Sequence, residues 1–422
     1  MSKSHPSKPQ VAEVGRRGGG VRSDCYVRVA LADRGGIDLD LKSKVASMYG
    51  ASICELIRGA LDTLGVRHAK VAVEDSGALP FVILARVETA VRRLGLDVGE
   101  GCLPEIAAGT DAPSRRDRFR RSRLYLPGNE PKFMLNAGLH GPDGVILDLE
   151  DSVAPPEKDA ARVLVRNALR SVNFYGAERM VRINQGDRGL EDLDFVAIQN
   201  VHVILIPKVE SPEQVRRVDD RIRVLLDAGE AASSAARTEA RGSEERCSGK
   251  RGVFLMPIVE SALGVIRAYE IAAASDNIVA LTIGLEDYTA DIGTARTNEG
   301  RESFLARSQV VNAARAAGVQ PIDTVFSDVG DMEGLRASVL EAKSLGFDGK
   351  GCIHPRQIGV MHEAFAPTEA ELEKAKRIVA AFDEAKAKGL GVVSLGSKMI
   401  DPPVVKRALH VVRLAEAAES VG

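Results

Sequence analysis

Neither sign of charge dominates this chain: 57 Lys and Arg stand against 59 Asp and Glu over 422 residues. That balance excludes the global basic field that drives nucleic-acid binding and directs attention to small-molecule partners. Long apolar runs are lacking too. None is long enough to span a bilayer, and no apolar segment follows the basic residues near the N-terminus, so neither a membrane anchor nor a secretion signal is expected and a cytoplasmic location follows. Cysteine is scarce: Cys25, Cys54, Cys102, Cys247 and Cys352 are odd in number and lack the paired spacing of a metal site. They read as reduced and structural, with Cys352 a buried strand residue. What is present, 45% hydrophobic and 27% charged residues, is ordinary globular composition with enough apolar side chain for a sizeable core. The length favours one large domain plus one small one.

Residues 1–20 are rich in Ser, Lys, Arg, Gly and Pro without periodicity, which predicts a disordered arm. Residues 21–110 hold an α+β unit: a strand at 26–31, a helix at 43–65, a strand at 69–74, the turn Asp75-Ser76-Gly77 and a helix at 78–93. A polar, arginine-dense stretch at 111–120, containing Pro113, reads as a linker. From residue 121 onward short apolar runs alternate with amphipathic stretches, the signature of βα units around a parallel sheet. Runs at 124–126, 145–149, 180–183, 203–206, 253–259, 279–283, 321–325 and 351–353 give eight strands. Eight strands within about 240 residues predict a closed (β/α)8 TIM-type barrel over residues 121–365, rather than an open doubly wound sheet. Residues 228–252, biased to Ala, Ser, Glu, Arg and Gly, read as a low-complexity surface insertion. Residues 366–422 form a helical extension that a barrel does not need, with helices at 368–388 and 404–418.

In such a barrel the active site forms where strands end and βα loops begin. Polar residues at those points are Glu150 and Asp151 after the second strand, Arg182 ending the third, Lys208 after the fourth, Glu260 after the fifth, Asp287 after the sixth, Asp323 in the seventh and His354 after the eighth. Carboxylates converging on one mouth repel one another unless a cation sits among them, which implies a bound metal. All-oxygen ligation suits Mg2+ or Mn2+ rather than Zn2+, with Glu260 and Asp287 as the ligand pair. Taken singly, each acid is as well explained as a strand-end residue capping the next helix; taken jointly, that explanation weakens. Asp323 reads as a strand-end hydrogen-bonding residue and His354 as part of a rigid His-Pro turn. Lys208 is either a solvated rim lysine or a holder of a substrate anion. Arg182, closing a strand, needs an anionic partner: a substrate carboxylate, or else an internal salt bridge to Glu150 or Asp151.

From Arg121 to about Ala418 the chain carries Arg121-Ser122 with Leu126-Pro127-Gly128-Asn129, Asp148-Leu149-Glu150-Asp151, Val181-Arg182-Ile183-Asn184, Ile258-Val259-Glu260-Ser261, Gly284-Leu285-Glu286-Asp287-Tyr288, Ile353-His354-Pro355 and Lys398-Met399-Ile400-Asp401. In these motifs it resembles the citrate lyase β subunit and its acyl-CoA lyase relatives. The resemblance implies that Glu260 and Asp287 hold Mg2+, that Arg182 binds substrate, and that Glu150 and Asp151 support the metal's water shell. It also implies that Asp401 reaches into a neighbouring subunit's site, hence a homo-oligomer, trimer or hexamer. On local grounds Asp401 also reads as a turn before Pro402-Pro403.

The N-terminal unit resembles the citrate lyase acyl carrier subunit in residues 23–29, Ile37-Asp38-Leu39, Asp75-Ser76-Gly77-Ala78-Leu79 and Ala85-Arg86. That resemblance implies a CoA-derived prosthetic group on a serine and an acyltransferase subunit as a further partner. An ungapped alignment sets Arg22 at the attachment position and Ser23 one place later.

The resulting expectation is a Mg2+-dependent carbon–carbon lyase cleaving a citryl thioester to oxaloacetate and an acetyl thioester. Arg182 would clamp a carboxylate, Lys208 would hold the substrate anion, and Asp401 would exchange a proton with the thioester's α carbon. The alternative is a malyl- or citramalyl-type lyase using free CoA esters, with the small domain structural or docking. A non-catalytic assembly subunit is a third reading, and the full acid set argues against it.

Overall fold

A computed structural model describes residues 10–110, 112–239, 252–387, 393–395 and 398–419. The N-terminal unit is a four-stranded sheet in the order β1-β2-β4-β3, made of Val11–Val14 (β1), Cys25–Leu31 (β2), Ile37–Ser43 (β3) and Ala69–Asp75 (β4). β2 runs antiparallel to β1 and β4, while β3 joins β4 in parallel at the edge. The expected disordered arm therefore does not hold for residues 11–14: alternate residues Ala12 and Val14 are buried in the small core, and the strand pairs with β2 from Val11↔Ala30 to Val14↔Val27. Residues 37–43, not anticipated as a strand, alternate between half-buried and exposed positions, as an edge strand covered on one side does.

Two helices cover this sheet, Ala46–Thr63 (α1) and Pro80–Arg93 (α2). α2 is buried on nearly every side because it serves two cores. Ile83, Val87, Ala90 and Val91 face the small sheet, whereas Phe81, Val82 and Ala85 join the barrel's outer core against the helix Lys158–Ser171 (α3). The small unit is thus packed onto the barrel. Inside that contact Glu88 accepts from Arg166 at 2.9 and 2.6 Å, both side chains being buried.

The segment read as a linker closes the barrel's N-terminal end. Arg116 donates to the carbonyls of Ile278 and Asp276, Arg118 to that of Gly176, and Arg120 forms a fully buried pair with Glu178 at 2.7 and 2.8 Å. Its dense arginines satisfy carbonyls and one buried acid below the barrel.

The barrel is closed and all-parallel, built from Ser122–Pro127 (β5), Gly144–Asp148 (β6), Glu178–Arg182 (β7), Val203–Ile206 (β8), Phe254–Val259 (β9), Ala280–Ile283 (β10), Gln320–Asp323 (β11) and Gly349–Cys352 (β12). Each expected run contains or overlaps one of these strands. Ile146, Met180, Leu205, Met256 and Ile322 fill the interior, and the main core lies between strands and helices. After β8 the helix Pro212–Glu239 (α4) extends through residues 228–239, half of the stretch expected to be a low-complexity loop; residues 240–251 lie outside the described residues. The Ala, Glu and Arg that made this stretch look low in complexity are strong helix formers.

Beyond the barrel, Glu369–Ala387 (α5) packs on Pro402–Glu419 (α6) around Ala375, Ile378, Ile400, Val405 and Ala408. A short hairpin of Val393–Leu395 (β13) and Lys398–Ile400 (β14) joins them. Among the described residues no helix is long and apolar enough to cross a membrane.

Candidate active site

The parallel closure brings the C-terminal ends of β5–β12 to one mouth, where a cavity of about 400 Å³ opens. Asp148 ends β6 and Arg182 ends β7, adjacent strands in register at those two residues. Arg182 donates from Nε and Nη2 to the two Asp148 oxygens, both at 2.7 Å, and its Nη1 lies 3.1 Å from Glu150 and 3.7 Å from Asp151. Its guanidinium also stands 5.3 Å from the centre of the Tyr125 ring. Burial alone would raise the Asp148 carboxyl, but the two bonds from Arg182 overcome this and hold it below its usual range. For Glu150 the balance reverses: burial, with Asp151 adding repulsion, outweighs Arg182 and raises it. Its Oε1 accepts from Gln185 at 2.8 Å, while its buried Oε2 has no hydrogen bond.

Across the mouth Glu260 follows β9 and Asp287 follows β10. Glu260 is pushed up to about 8, first by burial and then by the Asp287 charge, against the opposing Lys208 N–H. Lys208 adopts φ +50°, a left-handed conformation uncommon outside glycine, and its backbone N–H donates to Glu260 Oε1 at 2.7 Å. Its ammonium lies 3.3 Å from Asp287, 3.7 Å from Glu150 and 3.8 Å from Asp151, so it bridges the acids of both sides. Gly284 lets this arrangement close, because a Cβ there would sit 2.4 Å from Glu260 Oε2.

Five carboxylates thus face Arg182 and Lys208, and two of the five, Glu150 and Glu260, are pushed toward their neutral forms. Such a mouth has negative charge to spare for a divalent ion. Among the described residues no three Asp, Glu, His or Cys converge as a ready-made cage. Mg2+ does not require one, since it keeps several waters and is commonly held by one or two carboxylates. Glu260 and Asp287 fit that demand as hard oxygen donors lining one cavity.

Residues 121–355 match the HpcH/HpaI aldolase/citrate lyase family. The chain belongs to this family. This HpcH/HpaI family protein is accordingly a carbon–carbon lyase. It is 40% identical to the citrate lyase subunit beta of Leuconostoc mesenteroides subsp. cremoris, over 71% of this chain and 95% of that one. It is 32% identical to the mitochondrial citramalyl-CoA lyase of Mus musculus, over 70% and 86%. Among solved structures, CitE from Mycobacterium tuberculosis in complex with magnesium, acetoacetate and coenzyme A superposes with a TM-score of 0.55 at 30% identity, covering 72% of this chain and all of that one. Residues 18–94 separately match an acyl-carrier family described as the malonate decarboxylase delta subunit.

Within the family barrel, Glu150, Asp151, Arg182, Lys208, Glu260 and Asp287 come together through the ion pairs and the shared cavity described above. Asp401 does not join them in its own chain. It precedes α6, and its side chain accepts from the Val404 N–H at 3.2 Å, as a helix cap. Farther along α6, His410 and Arg413 line a cavity of about 760 Å³ with Arg121, Asp143 and Asp348, residues at the N-terminal ends of barrel strands. Asp323 is a buried ion-pair partner rather than a simple strand-end acceptor, held by Lys350 at 2.7 Å and Arg307 at 3.0 Å. His354 accepts the Arg356 N–H on Nδ1 at 3.2 Å in its His-Pro turn.

Ser23 occupies a half-buried turn at φ +56°, with its N–H donating to the Ser76 carbonyl at 3.1 Å. The next residue, Asp24, pairs with buried Arg86 at 2.9 and 3.0 Å, and Arg86 reaches the carbonyl of Asn129 in the loop after β5 at 3.4 Å. The Ser23 turn therefore borders the mouth side of the barrel.

Sequence reasoning missed Asp148, the principal partner of Arg182. The signal was available: Asp148 and Glu150 lie two apart at a strand end, where alternate residues point the same way.

Proposed function

We propose that this chain is a Mg2+-dependent lyase that cleaves a hydroxyacyl thioester, converting a citryl thioester to oxaloacetate and an acetyl thioester. The observation that carries the reading is the pairing of Glu260 and Asp287 in one cavity, with the Glu260 carboxyl raised to about 8 by burial and by its neighbour. Glu260 and Asp287 hold the ion, and Gly284 leaves room for the Glu260 carboxylate. The bound Mg2+ supplies Lewis acidity toward the carboxylate and hydroxyl oxygens of the substrate. Arg182, fixed by Asp148, orients the carboxylate on the carbinol carbon. Lys208 holds anionic oxygen at the rim, and Glu150 and Asp151 support the ion's water shell. As the hydroxyl proton leaves, Glu150, whose carboxyl is raised by burial, accepts it. The electrons of the broken carbon–carbon bond pass to the α carbon of the thioester, and Asp401 of the partner subunit protonates that carbon. The reading includes a homo-oligomer, a trimer or hexamer, and a cytoplasmic location.

Ser23 is the residue of the small domain that would bear a CoA-derived prosthetic group, with an acyltransferase subunit as loading partner. Arg22 at the attachment position favours the other supply route, a free CoA ester with the small domain as a docked wall. Intact mass of protein from its native host separates the two, since only the carrier route adds mass at Ser23.

The lyase reading is tested with citryl-, malyl- and citramalyl-CoA and Mg2+. Glu260→Ala or Asp287→Ala is expected to lower kcat/KM by about 100-fold or more. Full turnover without any divalent metal rules the scheme out.

A further inference from the structure

Arg123 lies on β5 two residues before Tyr125 and on the same inward face, so its side chain runs into the barrel. Both line the mouth cavity with Arg182, Glu260 and Asp287. The Arg123 side chain is buried, with no exposed surface (0%), yet among the described residues no carboxylate pairs with it. Nη1 donates to Thr282 Oγ1 at 3.2 Å and touches Met256 Sδ at 3.0 Å, Nη2 meets only the backbone carbonyl of Asp323 at 3.5 Å, and Nε has no hydrogen bond. The Asp323 carboxylate is already committed to Lys350 and Arg307. The other arginine lining the cavity, Arg182, is matched by Asp148. Burial pulls the Arg123 guanidinium below its ordinary range, but arginine does not lose its proton in proteins. The cavity floor thus holds a desolvated positive charge without the anion that makes such burial tolerable.

We propose that Arg123 is a specificity-determining residue that receives a second free carboxylate on the hydroxyacyl group, one a citryl thioester carries and a malyl or citramalyl thioester lacks. The inference rests on the lyase reading and names what the same site selects. The carboxylate on the carbinol carbon belongs at the mouth with Arg182 and the acid pair. A branch ending in another carboxylate extends to the floor and meets Arg123. The hydrogen of a malyl group or the methyl of a citramalyl group leaves the arginine unpaired. A buried polar group left unpaired penalises the shorter ligand far more than a missing methylene in an apolar pocket would.

Two 2-oxo acid products isolate the effect: oxaloacetate and pyruvate share the oxo-carboxylate end and differ only by the second carboxylate. Binding of each is measured by calorimetry to the full chain with saturating Mg2+, for wild type, Arg123→Met and Arg123→Lys. Wild type is expected to prefer oxaloacetate by roughly tenfold or more, the size of a bond to a charged group. In Arg123→Met that preference collapses to within about twofold while pyruvate affinity holds, and Arg123→Lys recovers part of it. Equal affinities in wild type overturn the proposal even if the variants fail to fold, and so does a preference that survives in Arg123→Met. Turnover of the CoA-ester panel is a separate readout: if wild type cleaves none of them the lyase reading falls, whereas the binding ratio alone decides Arg123.

Discussion

Gly284 and Glu260 form a unit in which a missing side chain on one strand end makes room for a carboxylate on its neighbour. A Cβ at Gly284 would stand 2.4 Å from Glu260 Oε2 and 3.0 Å from its Cβ, so the carboxylate must swing away and the two strand ends must give slightly. Gly284→Ala is therefore expected to weaken Mg2+ binding by about tenfold or more, as loss of a ligand's supporting contacts typically does, with little change in thermal midpoint. Calorimetric Mg2+ titration checks it; unchanged affinity would mean that the Glu260 carboxylate does not contact the ion. Lys208 belongs to the same set, since its left-handed backbone turns its N–H toward Glu260 while its ammonium reaches Asp287.

At the scale of elements, α2 decides how the small domain is held. Its apolar residues are divided between two cores, and between them Glu88, 0% exposed, accepts from Arg166, from Arg92 at 2.8 Å and from the Cys102 N–H at 2.6 Å. Removing that acid leaves the buried Arg166 charge with the Asn167 amide and backbone carbonyls but without its anion. Glu88→Ala is expected to cost about 3–5 kcal/mol of stability, read as a lower denaturant midpoint. Because Glu88 ties α2 to α3, limited proteolysis of the variant should cut between residues 95 and 120 sooner than in wild type. A loss below about 1 kcal/mol would show the pair to be no stronger than a surface salt bridge.

For the whole molecule, acid stability and subunit cooperation are the properties to test. His202 is buried ahead of β8, where its Nδ1 accepts the Arg179 N–H at 3.1 Å and its Nε2 donates to the Ala112 carbonyl at 2.7 Å. Burial first, then the Arg179 charge, lower its pKa to about 4. The folded protein keeps the ring neutral down to that pH, while the unfolded chain protonates it near 6.5. Its contribution is therefore whole above pH 6.5 and falls away between 6.5 and 4, by about 3 kcal/mol in all. Urea denaturation at pH 7.5, 6 and 5 should show this slope, and His202→Gln should flatten it. Subunit cooperation is read from mixing. Asp401→Asn and Glu260→Gln, each inactive alone, should regain part of the activity when co-assembled if Asp401 serves a neighbour's site. Failure to regain any would confine Asp401 to its role as the cap of α6.

By itself the sequence determined the barrel and the identity of its acids. Eight apolar runs alternating with amphipathic helices admit few other closures, and closure carries every strand end to one mouth, so Glu150, Asp151, Arg182, Lys208, Glu260 and Asp287 could be named from position along the chain. Only the tertiary structure decided which charges cancel. Asp148 takes Arg182 from an adjacent strand, Arg166 takes Glu88 across the domain contact, and the arginines of residues 116–120 settle on carbonyls and Glu178 beneath the barrel. Among the described residues Arg123 is left without an acid. These outcomes depend on which side chains arrive at the same point from positions tens of residues apart. Local periodicity fixes the direction a side chain takes, and packing alone fixes what it meets.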